Sequence, residues 1–270
     1  MEEVLQRRES YDQKPIPYDN EPTVSITQVM IEGLNCYWFT PVDPSPDRII
    51  IYVHGGGFAM GSVGTHGRMA SHFAKGLQTS ILFIEYALAP ENPFPAGMND
   101  VVKVFREVAN RYPGYRISLI GDSAGGSLII SAIGEMLKMH LPLPQAAVLI
   151  SPWINFACDY PSYEENAPID SSLTREMLEM FARAYTGDVP IEVSSPGNVR
   201  FTQFPPVLIL VGANEILLDD SKHFYNYIKG VQVKSRLSIY EGQPHVWVKK
   251  NILSEASGRA LAEIAEFIRA

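Results

Sequence analysis

A serine between glycines near the middle of the chain has the setting of a nucleophile. The segment Gly121-Asp122-Ser123-Ala124-Gly125-Gly126 follows an apolar run at residues 117–120 and opens a helical pattern over residues 123–140. A Gly-x-Ser-x-Gly pattern at a strand–turn–helix junction is typical of a nucleophilic serine, because the sharp turn needs small neighbours and projects the hydroxyl away from the sheet. Alone the pattern is weak, and a glycine-rich turn that only begins a helix is the alternative.

A second glycine-rich segment could supply backbone hydrogen-bond donors. His54-Gly55-Gly56-Gly57-Phe58 follows a predicted strand at residues 49–53. Consecutive glycines let backbone N–H groups turn toward a ligand, and acyl transfer needs such donors where the oxyanion develops. We predict an oxyanion hole formed by Gly55, Gly56, Gly57 and the backbone N–H of Ala124. Taken alone, the glycines would indicate a flexible turn or a phosphate-binding loop, but no Gly-Lys-Ser/Thr follows, which excludes a P-loop.

A serine nucleophile needs a general base, and His245 is the candidate. It lies in Glu241-Gly242-Gln243-Pro244-His245, a turn-rich segment after the last predicted strand, at residues 235–240. That loop is expected at the same sheet edge as Ser123. For His54, within the glycine segment, a structural role is favoured. The other histidines fall in helical segments and are predicted to be surface or partly buried residues without a catalytic role: His66, His72, His140 and His223.

The base needs an orienting carboxylate, which the chain order Ser–acid–His places just beyond the predicted strand at residues 207–211. The candidates are Glu215, Asp219 and Asp220. Glu215 lies in the loop after the strand, whereas the two aspartates fall in the first turn of the next predicted helix, where acidic residues are expected for dipole reasons alone. We predict Glu215 as the acid, with Asp219 and Asp220 as the alternatives.

Four aromatic residues could line a substrate pocket beside these groups. Phe58 ends the glycine segment, Trp153 and Phe156 follow a predicted strand at residues 146–150, and Trp247 lies two residues after His245. Core packing is an equally good interpretation, because aromatic rings dominate cores as readily as sites. The histidines are scattered and no Cys/His spacing fits a metal site, so we expect no metal and no cofactor.

Apolar runs that alternate with helical patterns predict the scaffold for these groups. Five Ile- and Val-rich runs are typical of parallel strands covered on both faces: residues 49–53, 81–85, 117–120, 146–150 and 207–211. Helical spacing occurs at residues 66–77, 98–111, 123–140, 219–228 and 252–268. Residues 24–31 and 35–40 alternate apolar and polar side chains, which predicts an antiparallel pair at a sheet edge. Alternating strands and helices predict an α/β fold.

Size and charge limit the classes of protein to which the chain can belong. It has 270 residues, 46% of them hydrophobic and 19% charged, and a net charge of −8. This acidic balance argues against nucleic acid and anionic membrane surfaces as partners. No apolar run approaches 18 residues, the charged N-terminus lacks a signal-peptide pattern, and Cys36 and Cys158 are expected to be reduced thiols. We expect a compact cytoplasmic protein of one domain, residues 1–270.

Together these motifs resemble the hormone-sensitive-lipase-like carboxylesterases of the α/β-hydrolase superfamily. The resemblance runs from about residue 49 to residue 247 and includes the two glycine segments, Tyr86-Ala87-Leu88-Ala89-Pro90-Glu91 and Pro93-Phe94-Pro95-Ala96. It implies an α/β-hydrolase fold with a mostly parallel eight-stranded sheet flanked by helices. By resemblance Ser123 is the nucleophile, His245 the base and Glu215 the acid, while Asp100 buttresses the glycine loop. The chain departs from the family at Ala87, where relatives have Arg, and at Glu215-Ile216-Leu217, where many have Asp-Pro-Leu.

The resemblance also implies a small cap, formed by residues 1–22 and 155–200. Residues 155–200 separate two predicted strands, carry four prolines and contain a short helical pattern at residues 174–185. Such a long connection is usually a lid or binding insertion, with a surface excursion as the alternative. Because the N-terminal part is short, we expect a reduced cap and a more open pocket.

The function implied is that of a cofactor-independent serine carboxylesterase acting on small-molecule esters. Because the chain lacks a long N-terminal cap and a strongly apolar lid, we expect short acyl chains, acetyl to hexanoyl. An amidase or deacetylase with the same three residues is an alternative, because both reactions pass through the same oxyanion. A non-catalytic small-molecule-binding protein on this fold is a second alternative, which the presence of His245 disfavours. Pairing of two copies as a homodimer, through the last strand or the last helix, is left open.

Overall fold

The structure is a computed structural model that describes residues 2–270. Met1, the first residue of the predicted domain and cap ranges, lies outside the described residues. The strands are β1 (Val24–Ile31), β2 (Leu34–Pro41), β3 (Arg48–Val53), β4 (Ser80–Ile84), β5 (Arg116–Asp122), β6 (Ala146–Ile150), β7 (Val207–Gly212) and β8 (Arg236–Tyr240). The helices are α1 (Glu2–Asp12), α2 (Val63–Leu77), α3 (Ala96–Arg111), α4 (Ala124–Lys138), α5 (Ser162–Glu165), α6 (Arg175–Thr186), α7 (Ile191–Ser194), α8 (Leu218–Ile228), α9 (Trp247–Lys250) and α10 (Glu255–Arg269). Between residues 2 and 270, no helix has both the length and the apolar character needed to cross a membrane.

The strands form one sheet in the order β1-β2-β4-β3-β5-β6-β7-β8. β2 pairs antiparallel with both β1 and β4, and every pairing from β4 through β3 to β8 is parallel. The predictions of a mostly parallel eight-stranded sheet and of an antiparallel pair at its edge are confirmed.

Helices cover both faces of the central strands, which explains their nearly continuous apolar sequences. In β3, Ile50 and Tyr52 belong to the core that includes α2 and α10. Their neighbours Ile49, Ile51 and Val53 belong to the core that includes α3 and α4. Successive side chains of a strand point to opposite faces, so a strand between two helical layers must be apolar at every position.

Parallel strands bring their carboxyl ends to a single edge of the sheet, and that edge carries the candidate groups. The loop after β3 contains the glycine segment, and the loop after β5 contains Ser123. Glu215 follows β7, and His245 follows β8. The fold therefore gathers residues that are up to 190 positions apart in the sequence (55 to 245) at one end of the molecule.

The N-terminal helix α1 is not predicted by the sequence. Of its eleven residues only Val4 is buried, so no apolar stripe signals a helix in the sequence. α1 contacts α2 and α6. The helical pattern predicted at residues 174–185 is confirmed as α6. The short N-terminal segment thus packs against the long connection between β6 and β7.

Candidate active site

Ser123 occupies a sharp turn between β5 and α4. Its backbone has φ +51° and ψ −121°, a positive-φ conformation that non-glycine residues rarely adopt. Side chains would not fit at the neighbouring glycines. A Cβ on Gly121 would lie 2.8 Å from the backbone of Gly125, and a Cβ on Gly125 would lie 2.0 Å from the carbonyl O of Val53. The turn therefore requires glycine on both sides of Ser123, which is the physical reason for the pattern.

Ser123, His245 and Glu215 form a continuous chain of hydrogen bonds. His245 Nδ1 lies 2.6 Å from Glu215 Oε2, and His245 Nε2 lies 3.0 Å from Ser123 Oγ. An ionised carboxylate can only accept a hydrogen bond, so Nδ1 carries the proton at the first contact. The lone pair of Nε2 then faces Ser123 Oγ, which is the tautomer that a general base needs.

The carboxylate of Glu215 has two further hydrogen-bond partners, neither of which is predicted by the sequence. Oε1 accepts from the backbone N–H of Gly212 at 2.6 Å and from Ser151 Oγ at 2.7 Å. Ser151 Oγ also accepts from the backbone N–H of Val246 at 3.2 Å. Glu215 is 0% exposed, and these hydrogen bonds compensate for the loss of water around a buried carboxylate. A polar residue directly after the buried strand β6 is the sequence signal that could have found Ser151.

Asp219 and Asp220, the alternative acids, bind elsewhere. Asp219 Oδ2 accepts from the backbone N–H of Ser162 at 3.0 Å. Asp220 Oδ1 accepts from the backbone N–H groups of Ile154 and Asn155, each at 2.7 Å. Burial raises the pKa of Asp220 to about 7. Both aspartates lie in α8, and their contacts hold the chain that follows β6 rather than His245.

The glycine loop, which is bonded through Gly55 to Asp122, has backbone N–H groups without a protein acceptor. Gly56 and Gly57 have φ of +115° and +60°. Glycine adopts such positive φ angles without strain, whereas other residues are strained there. Over residues 2–270, the backbone N–H groups of Gly56, Gly57 and Ala124 donate to no protein acceptor. Gly55 differs, because its N–H donates to Asp122 Oδ1 at 3.0 Å. The inclusion of Gly55 among the oxyanion donors was therefore wrong: its N–H is already occupied.

Asp122 anchors the glycine loop, a role that the family resemblance gave to Asp100. Besides Gly55, Asp122 Oδ1 accepts from the hydroxyl of Tyr52. Burial alone would raise the pKa of Asp122, but the nearby imidazole of His66 and the hydrogen bond from Tyr52 outweigh it and hold the pKa below its ordinary value. Asp100 Oδ2 instead accepts from the backbone N–H of Ala87 at 2.9 Å, one segment away from the loop.

His66 is also placed differently from the prediction of a surface or partly buried residue. It is 1% exposed, and its Nε2 lies 3.7 Å from Asp122 Oδ2. Its Nδ1 lies 2.8 Å from Thr65 Oγ1. The helical spacing around residue 66 gave no signal for this contact, because the partner lies on β5, more than fifty residues away in sequence.

Three of the four predicted pocket aromatics form a cluster with a tyrosine of α6. Phe58 stacks on Tyr185 with ring centroids 3.8 Å apart, and it contacts Trp153 at 5.5 Å and Phe156 at 5.4 Å. All four rings are buried. Trp247 is the exception, because it packs against Tyr240 at 4.6 Å in the core on the opposite face of the sheet. The core interpretation therefore fits Trp247 best, and its assignment to the pocket is corrected.

The side chains of the candidate site are nearly buried. Ser123 is 7% exposed and His245 is 8% exposed. Phe181 of α6 packs directly on the glycine loop, since a Cβ on Gly57 would lie 2.6 Å from its ring. Phe181 thus covers the glycine loop even though the N-terminal segment is short, and the more open pocket stays a prediction.

Known proteins resemble the chain in sequence and in structure. A family model for the alpha/beta hydrolase fold matches residues 50–249. The chain is 30% identical to an acetyl-hydrolase of Streptomyces hygroscopicus, over 99% of this chain and 90% of that protein. It is also 30% identical to the carboxylesterase NlhH of Mycobacterium tuberculosis, over 93% of this chain and 83% of that protein. A crystal structure of an esterase from the bacterial hormone-sensitive lipase family superposes with a TM-score of 0.94 at 32% identity, covering 98% of this chain and 91% of that one.

The chain belongs to the hormone-sensitive-lipase-like carboxylesterase family of α/β hydrolases. The family resemblance and the α/β-hydrolase fold read from the motifs are thereby confirmed. This esterase is a carboxylic ester hydrolase, as its esterase and carboxylesterase relatives are. It also resembles EstE5, in a structure soaked with p-nitrophenyl butyrate, with a TM-score of 0.91 at 30% identity, over 98% of this chain and 90% of that one.

The ionisable residues of this esterase do not assemble a metal site in the part of the chain that the structure describes. Within residues 2–270, no group of three or more His, Cys, Asp or Glu side chains could hold a metal ion. Cys36 and Cys158 are buried and free. The chemistry available at the sheet edge is that of a hydroxyl, an imidazole, a carboxylate and three backbone N–H groups.

Proposed function

We propose that this esterase hydrolyses short-chain esters, acetyl to hexanoyl, through an acyl-enzyme intermediate on Ser123. His245 is the general base, Glu215 is the acid that orients it, and Gly56, Gly57 and Ala124 supply the oxyanion hole. The observation that carries the proposal is the hydrogen-bond chain from Glu215 through His245 to Ser123 Oγ. The unoccupied N–H groups of Gly56, Gly57 and Ala124 support it further.

In the first half of the proposed reaction, His245 Nε2 accepts the proton of Ser123 Oγ as Oγ attacks the ester carbonyl carbon. The oxyanion that forms accepts hydrogen bonds from Gly56, Gly57 and Ala124. The imidazolium, stabilised by Glu215, returns the proton to the alcohol oxygen as the C–O bond breaks. The alcohol leaves, and the acyl group remains on Ser123.

In the second half, water attacks the acyl-enzyme while His245 Nε2 accepts a proton from it. The second oxyanion forms at the same N–H groups. When it collapses, His245 returns the proton to Ser123 Oγ and the carboxylic acid is released. The same three residues therefore serve both halves, and no cofactor is consumed.

The aromatic cluster supports the preference for short acyl chains. Phe58, Trp153, Phe156 and Tyr185 fill the space beside the glycine loop and are each 3% exposed or less. An acyl carbon that extends beyond such a wall gains little of the roughly 0.8 kcal/mol available for each buried methylene. The name of the Streptomyces relative, an acetyl-hydrolase, and the butyrate ester soaked into EstE5 agree with short chains.

We expect kcat/KM to be highest for p-nitrophenyl esters of two to six carbons and to fall for dodecanoyl and longer esters. Tyr185→Ala removes the ring that stacks on Phe58, and it should move the preference toward longer chains. Rates across an acyl series, with Ser123→Ala as the background, measure both effects. Faster turnover of dodecanoyl than of butanoyl esters by the unmodified enzyme would contradict the short-chain proposal.

Amide hydrolysis is separated from ester hydrolysis by a matched pair of substrates. p-Nitrophenyl acetate and p-nitroacetanilide carry the same acyl group and differ in the leaving atom. We expect turnover of the ester and much slower turnover of the anilide. Comparable kcat/KM values for the two substrates would favour the amidase alternative with the same three residues.

A further inference from the structure

Arg8 connects the N-terminal helix α1 to the glycine loop. Its Nε donates to the carbonyl O of Ala59 at 2.5 Å, and its Nη2 donates to the carbonyl O of Ala89 at 2.6 Å. Glu91 holds the same guanidinium through Nη1 at 2.7 Å and Nη2 at 2.8 Å. A guanidinium is planar and carries its donors in a rigid fork, so these four contacts fix its orientation.

Ala59 belongs to the turn that carries the oxyanion donors. The N–H groups of Ala59 and Met60 donate to the carbonyl O of Gly56 at 3.1 and 2.9 Å. The N–H of Ala89 donates to the carbonyl O of Phe58 at 2.9 Å. Ala89 therefore holds Phe58, and Arg8 ties Ala59 to Ala89. The end of the turn that follows Gly57 is fixed from outside by α1 and by the segment around Ala89.

The other end of the turn has its own anchors. Gly55 N–H donates to Asp122, and the hydroxyl of Tyr86 donates to the carbonyl O of His54 at 2.9 Å. Between the two ends lie Gly56 and Gly57, which lack side chains and have wide conformational freedom. Each peptide unit is rigid and turns about soft φ and ψ angles. A shift of Ala59 therefore changes the direction of the Gly56 and Gly57 N–H groups.

We propose that Arg8 is a positioning residue, which sets the direction of the Gly56 and Gly57 N–H groups by binding the carbonyl groups of Ala59 and Ala89. The inference rests on the proposed function, because it takes these N–H groups as oxyanion donors. Such donors bind the transition state more strongly than the ground state. Loss of Arg8 therefore lowers kcat and leaves KM nearly unchanged.

The test compares Arg8→Met with Arg7→Met on p-nitrophenyl butyrate. Arg7 is the adjacent residue of α1, and its side chain is hydrogen-bonded to Glu3 on the same helix. Arg7→Met removes the same charge without touching the glycine loop. Losing one oxyanion donor outright costs about 10²–10³ in kcat, so misdirected donors should cost at least about tenfold. We expect that decrease for Arg8→Met, KM within about twofold, and wild-type values for Arg7→Met.

The inhibition constant of a transition-state analogue separates positioning of the oxyanion donors from a merely structural role, which would leave that constant unchanged. A trifluoromethyl ketone adds to a nucleophilic serine and forms a tetrahedral adduct with an oxyanion. Its inhibition constant should rise by the same factor by which kcat falls in Arg8→Met, because both report the same N–H groups. Arg8→Lys keeps the positive charge but loses the planar set of guanidinium donors. Its kcat should therefore lie between those of the wild type and Arg8→Met.

A folded Arg8→Met enzyme with the kcat of Arg7→Met overturns the inference, and so does a fall in kcat with an unchanged inhibition constant. Should Arg8→Met fail to fold, Glu91→Gln decides, since it loosens the guanidinium but leaves Arg8 in place. The expected result is a smaller fall in kcat at constant KM, and no fall overturns the inference. An inactive wild type, or an active Ser123→Ala variant, would contradict the proposed function instead. Both are measured in the same assay, so the two failures are distinguishable.

Discussion

Ser123→Ala should abolish ester hydrolysis and leave the fold intact. In the proposed mechanism, Ser123 Oγ forms the bond to the acyl carbon, and no neighbouring group replaces it. Removing the nucleophile from a serine triad costs on the order of 10⁶ in kcat, and the oxyanion hole and substrate binding supply the residual rate. We expect kcat for p-nitrophenyl butyrate to fall by at least about 10⁴.

The loss must be separated from unfolding. Alanine keeps the Cβ that the φ +51° backbone already accommodates, and it is smaller than serine, so the melting temperature should stay close to that of the wild type. Ser131→Ala is the matched control, because Ser131 is a buried serine of α4, the helix that follows Ser123. That variant should keep the wild-type kcat. A folded Ser123→Ala protein that retains most of the activity would contradict the serine mechanism.

Glu215→Gln should lose most of the activity through the wrong tautomer of His245. Glutamine fills the same volume, and its amide oxygen can still accept from Gly212 and Ser151. The amide NH₂ then faces His245 Nδ1 and donates to it, which moves the ring proton to Nε2. A protonated Nε2 cannot accept the proton of Ser123 Oγ. Replacing the orienting acid of a Ser–His–Asp triad by its amide costs about 10⁴ in kcat, and we expect a loss of that order here.

The control for Glu215→Gln is Asp219→Asn, which neutralises a carboxylate of the same chain segment. Asp219 binds the backbone of Ser162, away from His245, so a substantial part of the activity should remain. Asp220→Asn should behave in the same way, because its amide oxygen can still accept from Ile154 and Asn155. Near wild-type turnover by Glu215→Gln, together with a large loss in Asp219→Asn, would contradict Glu215 and identify Asp219 as the acid.

The scaffold could be predicted from the sequence because its cause is local. A strand between two helical layers is apolar at every position, and runs such as residues 146–150 and 207–211 show this directly. Parallel strands bring their carboxyl ends to one edge, so the loops that carry Ser123, Glu215 and His245 could be expected to meet. The turn at Ser123 was predictable for a similar reason, since its need for Gly121 and Gly125 is steric and local.

What could not be predicted depends on contacts between distant segments. Asp122 accepts a hydrogen bond from the N–H of Gly55, while the N–H groups of Gly56 and Gly57 have no protein acceptor. This difference depends on how two loops meet at the sheet edge. Ser151 joins Glu215 to Val246 for the same kind of reason. The helix α1 has no apolar stripe, and it reaches the glycine loop through a charged side chain, Arg8. Residue spacing carries no information about such pairings.

The central claim, that Ser123 is the nucleophile, is tested most directly by labelling with diethyl p-nitrophenyl phosphate and mapping the adduct by peptide mass spectrometry. Attack of Oγ on phosphorus displaces p-nitrophenolate and leaves a phosphate ester on the attacking serine. We expect one diethylphosphoryl group per inactivated chain, on the peptide that contains Ser123, and no labelling of Ser123→Ala. If the enzyme is inactivated while the diethylphosphoryl group lies on a different serine and Ser123 is unmodified, Ser123 is not the nucleophile.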